Sequence, residues 1–144
     1  MEDFLFSFYS TFVDESLIED LYLETLLTPL TISILVIMLL GAVVFYYVIN
    51  SIRFGQRKHW FLTMGIGGII TFTVIFSTCV NMAGQEIVRN EANIKKGIPD
   101  YRFDQGTSIF FTYGLTMVLL AMILFFIFSM LIKWWSTNSR KTPF

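Results

Sequence analysis

Three long stretches of this chain, residues 25–52, 60–85 and 105–132, contain no Asp, Glu, Lys or Arg. Each exceeds the ~20 apolar residues that an α-helix needs to cross about 30 Å of hydrocarbon. The pattern predicts transmembrane helices at 29–52, 60–82 and 107–132. Ahead of them, 1–28 mixes large apolar residues with acids. Leu17, Ile18, Leu21 and Tyr22 follow 3.6-residue spacing, while Glu19, Asp20 and Glu24 fall elsewhere, so an amphipathic helix is expected over 16–27. Ser16-Leu17-Ile18-Glu19 fits a capping box at its start. Phe4, Phe8 and Phe12 suggest an earlier helical turn or two. The expected fold class is an all-α membrane protein, with three transmembrane helices preceded by an acidic amphipathic helix.

The connections follow from the same pattern. Thr28-Pro29 reads as an N-cap followed by proline at the first helical position, where its missing N–H costs nothing. Residues 53–59 form a basic turn, with Arg53, Arg57, Lys58 and His59 near the flexible Gly55. A turn this short makes the first two spans antiparallel neighbours. Residues 83–106 form a mixed-charge loop, in which 85–94 reads as an extension of the second helix and Gly97-Ile98-Pro99-Asp100 as a turn. Tyr101 and Phe103 are placed for the headgroup region, and 133–144 is a short polar tail.

Charge sets the expected direction. Lys and Arg near span ends favour the cytoplasmic side. The first turn and the tail hold Arg53, Arg57, Lys58, Lys133, Arg140 and Lys141, while the other side holds Arg89, Lys95, Lys96 and Arg102. The segment before the first span has acids only, namely Glu2, Asp3, Asp14, Glu15, Glu19, Asp20 and Glu24. Trp60, Trp134 and Trp135 fall beside the basic residues, as an interfacial aromatic belt would. The N-terminus is therefore expected outside and the C-terminus in the cytoplasm. The interface anchors on this reading are Arg53, Arg57, Lys58, Trp60, Lys133, Trp134 and Trp135.

Composition adds two points. Of 144 residues, 55% are hydrophobic and 15% charged, against about 25% charged in soluble domains. Glu2 and Asp3 stand where a cleavable signal peptide would be basic, so the first span is expected to be its own insertion signal.

Most chemistry is disfavoured. No predicted span contains an ionisable Asp, Glu, Lys, Arg or His, which proton relays, coupled transporters and voltage sensors usually need. His59 is the one histidine and lies at an interface; Cys79 is the one cysteine, so no internal disulfide can form. Gly65-Ile66-Gly67-Gly68 begins inside a span and lacks the preceding strand of a phosphate-binding loop. Neither catalytic residues, a cofactor, a metal nor a nucleic-acid partner is expected.

Two groups of residues remain as candidates. Gly67, Thr71, Thr78 and Asn81 lie near one face of the second span, and Gly41 interrupts the first. Small and weakly polar residues favour close helix packing or line a pore, with interhelical hydrogen bonds worth roughly 0.6–2 kcal/mol each. Asp14, Glu15, Glu19, Asp20 and Glu24 form either a solvated face, a protein-docking surface or the acidic mouth of an oligomeric pore. The leading expectation is a non-enzymatic subunit of a larger membrane or envelope-spanning assembly, the expected partners being the bilayer and other membrane subunits or copies of itself. A homo-oligomeric pore is the alternative. In length, number of spans and direction the chain is similar to some phage holins, a likeness of layout only. The expected location is the bacterial inner membrane. A membrane anchor for an enzyme complex is the third reading.

Overall fold

The computed structural model describes residues 2–49, 57–97 and 100–135. Among these residues the structure is all-helical, with α1 (Glu2–Tyr9), α2 (Glu15–Leu23), α3 (Leu27–Val43), α4 (Arg57–Ala83), α5 (Glu91–Lys95) and α6 (Thr107–Trp135). A π-helical segment, Val44–Ile49, continues α3. Three of these helices are long and apolar enough to cross a membrane: Leu27–Val48, Arg57–Ala83 and Thr107–Trp134. The chain is a multi-pass membrane protein on that ground.

Helix ends differ from expectation in instructive ways. Asp14, rather than Ser16, caps α2: its carboxylate accepts from the Ser16 N–H at 3.0 Å and from the Ser16 hydroxyl. A carboxylate two residues upstream is an acceptor for the free N–H groups of the first turn, so the expected capping box does not form. The Ser16 bonds hold the Asp14 carboxyl below its ordinary range. This cap is fully present at neutral pH and is lost as pH falls below that range. The C-terminus of α2 closes with Thr25 N–H to Tyr22 O at 2.9 Å and Leu26 N–H to Leu21 O at 2.9 Å. That pair of bonds is a Schellman motif, and it puts Thr25 at φ 55° where glycine is usual.

α3 starts at Leu27, so Pro29 sits inside the first turn and not at its first position. The N–H groups of that whole turn lack intrahelical partners, so proline is still tolerated. The expected extension of the second span over 85–94 is absent: α4 stops at Ala83. Gly84 and Glu86, the latter at φ 50°, turn the chain back. Val88 and Tyr101 then form an antiparallel bridge, with Arg89 N–H to Asp100 O at 2.9 Å and Arg102 N–H to Ile87 O at 2.8 Å.

The chain divides into two compact units, Met1–Leu30 with Thr73–Thr116, and Thr31–Phe72 with Met117–Phe144. In the second unit three helices meet through small residues. A Cβ on Gly67 would lie 3.1 Å from the Met38 methyl and 3.2 Å from its sulfur. One on Gly68 would lie 3.3 Å from Val118, and one on Gly41 would lie 3.5 Å from the Phe125 ring. The π-helical segment widens the end of α3 so that the adjacent Phe45 and Tyr46 are both buried. Trp60 and Phe125 pack with ring centroids 5.3 Å apart.

In the first unit, Leu5, Tyr9, Leu17, Ile18, Leu21, Leu27, Ile75, Cys79, Phe103, Phe110 and Tyr113 are buried. α1 packs on α2, with Phe6 edge-on to Tyr22 at 5.5 Å and the Tyr22 hydroxyl donating to Asp3 at 2.8 Å. That bond to Asp3 raises the phenol's pKa above its ordinary value.

Gly67→Ala is expected to be near-neutral, because the clashing atoms are the far end of a flexible methionine. Gly67→Leu should cost about 1–3 kcal/mol, the usual range for overpacking a close contact. Thermal unfolding of the detergent-solubilised protein checks both, with Gly65→Leu as the control, since a Cβ there meets nothing within 4 Å.

Candidate functional site

The strongest polar constellation lies in the first unit and is centred on Asp20. Its neighbours Leu17, Ile18 and Leu21 are the apolar stripe of α2, and Asp20 is carried inward with them, at 1% exposure. A carboxylate in that position must be paired to be tolerated. Its Oδ2 accepts three donors: an Arg89 guanidinium nitrogen at 2.7 Å, the Phe103 N–H at 2.9 Å and the Gln105 amide at 2.6 Å. All three donors come from the 84–106 loop. Arg89 also reaches Asp104 at 3.5 Å. Partial burial works against its charge, but the bond and the charge of Asp20, followed by Asp104 and Asp100, hold its pKa above the ordinary value.

Around this centre the loop is tied at further points. Arg102 pairs with Glu24, one turn beyond Asp20. The Asn93 amide donates to Asp100 at 2.6 Å. Phe103 adopts φ 59°, a conformation that is an outlier for a bulky residue. The bond from its N–H to Asp20 and the burial of its ring hold it there. The loop is therefore a folded cap on α2, and the headgroup position expected for Phe103 is replaced by burial.

The five acidic candidates separate accordingly. Asp14, Glu15 and Glu19 are exposed, Asp20 is buried, and Glu24 is half-buried against Arg102. A docking or pore-mouth surface made of all five is not what the structure presents, because Asp20 and Glu24 are turned to the loop. Glu15 and Glu19 line an open cleft with Asp3, Phe6, Tyr22 and Leu23.

The helix-packing candidates also separate. Gly67 and Thr71 are buried, Thr78 is half-buried, and Asn81 is exposed. The Thr71 hydroxyl has no hydrogen-bond partner among the described residues, whereas Thr78 donates to the Val74 carbonyl at 2.8 Å. The buried stripe of α4 is Gly67, Thr71, Ile75 and Cys79, in steps of four residues. Ile75 and Cys79 were missed because a 3.6-residue template drifts off a four-residue stripe. On the opposite side of the helix's circumference, Thr73, Ser77 and Asn81 form an exposed line with the same step.

Among the interface anchors, Arg57, Lys58 and Trp134 are exposed and Lys133 is half-buried. Arg53 and the side chain of Trp135 lie outside the described residues. Trp60 does not face outward: it is 2% exposed, and its indole N–H donates to the Ser129 hydroxyl at 3.1 Å. An indole N–H buried among hydrocarbon needs such an acceptor, so Trp60 joins α4 to α6 from within.

Comparison with protein-family models, curated proteins and solved structures found no match.

Asp20→Ala leaves an arginine, a backbone N–H and an amide without their shared acceptor. The expected loss is about 3 kcal/mol, the low end for breaking a buried pair, because Arg89 stays 37% exposed. Limited proteolysis should then cut within 84–106 while the spans remain protected. An unchanged digestion pattern would show that the cap folds without the carboxylate.

Proposed function

We propose that this protein is a non-enzymatic subunit of a larger membrane assembly, held in it through α4. The observation that carries the reading is the exposed line of Thr73, Ser77 and Asn81 on a membrane-spanning helix. Gly67 and Gly68 on the same helix are, by contrast, packed inside. A polar line left on a helix surface at bilayer depth is suited to a second helix, which brings both close packing and hydrogen-bonding groups. The folded cap formed by α2 and the 84–106 loop offers a second contact surface, with Glu15, Glu19, Glu86, Lys95, Lys96 and Asp104 among its exposed charges. The bacterial inner membrane is the setting that fits the layout.

The pore reading draws on the same line, since Thr73, Ser77 and Asn81 repeated around a ring would give a weakly polar wall. It loses Gly67 and Thr71, which are buried within one chain. Photo-crosslinking from Ser77 and Asn81 in the native membrane separates the two readings. A distinct partner protein is the expected product, and Leu119 and Ile123, exposed on α6, serve as lipid-facing controls. Crosslinks only to further copies of the chain, with conductance in planar bilayers, would favour the pore. The absence of any protein crosslink from α4 would defeat both.

The direction of insertion belongs to the same proposal. Arg57 and Lys58 begin α4 and Lys133 lies in the last turn of α6, so these helix ends belong on the cytoplasmic side. Replacing Arg53, Arg57 and Lys58 together by Glu is expected to disturb or invert insertion, as read by reporter fusions at both termini. Unchanged topology would place the signal elsewhere.

A further inference from the structure

α1 carries an uncovered aromatic ridge. Phe4 is 71% exposed, Phe8 39% and the following Phe12 61%. The three rings form a continuous row, with centroids 6.4 Å apart for Phe4 and Phe8 and 5.5 Å for Phe8 and Phe12. Burying such rings is worth roughly 1.5–3 kcal/mol apiece, so leaving three in water is a considerable cost.

Helical geometry gives α1 four distinct sides. Leu5 and Tyr9 are buried. Phe6 faces Tyr22 of α2. Asp3, Ser7 and Thr11 are exposed and polar. The ridge lies between the buried side and the polar side. That is the order expected of a helix lying in the plane of a bilayer surface, with its polar side to water and its aromatic side in the acyl boundary.

The surroundings of α1 point the same way. Tyr9 at its end is buried in the same compact unit as the buried Cys79 of α4 and Tyr113 of α6, two helices long and apolar enough to span a bilayer. Within the same unit, Phe111 and Leu115 of α6 and Val80 of α4 are also exposed apolar residues.

We infer that α1 is an in-plane membrane anchor, whose Phe4, Phe8 and Phe12 insert into the leaflet on the side of the 84–106 loop. The occupant of the ridge is lipid. Residues 2–15 contain no Lys or Arg, so the attraction is apolar and gains nothing from anionic headgroups.

Spin labels at Phe4→Cys, Phe8→Cys and Phe12→Cys test this in the full chain, reconstituted in phosphatidylcholine vesicles. Ser7→Cys and Glu19→Cys are the water-facing references, and the wild-type chain, whose Cys79 is fully buried, gives the background. The ratio of oxygen to water-soluble nickel-chelate accessibility is expected to be several-fold higher at positions 4, 8 and 12 than at 7 and 19. It should not change when a third of the lipid is replaced by phosphatidylglycerol. A ratio at positions 4, 8 and 12 equal to that at Ser7→Cys would mean that the ridge is in water and would overturn the inference. So would exclusion of both reagents, which means a protein surface, with dilution-sensitive spin–spin broadening identifying it as a second copy.

Discussion

Hydrocarbon offers no hydrogen bonds, and several polar features of this protein answer to that constraint. Thr63, Thr78, Thr112 and Thr116 return their hydroxyls to carbonyls one turn back. Trp60 gives its indole N–H to Ser129. Asp20, carried inward by the apolar stripe of α2, is met by three donors on one oxygen. In each case the polar group is affordable because a partner is built beside it, and each partner fixes a local geometry. The Asp20 cluster has the longest reach, since its donors lie 69 to 85 residues away in sequence.

Close packing within the second unit depends on size rather than polarity. Lipid tails are as apolar as leucine, so helices associate where small residues let them approach closely. Gly41, Gly67 and Gly68 supply that approach against Phe125, Met38 and Val118. The widened turn at Val44–Ile49 places Phe45 and Tyr46 together in the interior. Trp60 and Ser129 add a polar tie between α4 and α6.

What remains outside is as informative as what is enclosed. The exposed line on α4 and the aromatic ridge on α1 differ in kind. The line is small and weakly polar, suited to another helix; the ridge is large and apolar, suited to lipid. On the readings proposed above, the line is a lateral protein contact and the ridge an in-plane brace; they lie on different elements, so each can be altered without disturbing the other.

The sequence by itself determined that three helices are long and apolar enough to span a membrane, because that requirement is set by bilayer thickness and needs no tertiary context. The helix ends were legible only approximately: the start of α2 was placed near Ser16 where Asp14 caps it, Pro29 falls inside the first turn of α3, and α4 stops at Ala83 and does not run on through 85–94. Gly67 and Thr71 stood out in the sequence as small residues on one face, and the structure buries both. Only the tertiary structure decided that Asp20 and Glu24 face the loop while Glu15 and Glu19 face out. Residues that alternate around one helix look alike in sequence, and the donors that distinguish them come from a loop some seventy positions away. Trp60 shows the same limit: beside Arg57 and Lys58 it reads as an interface anchor, and only the acceptor on Ser129 turns it inward.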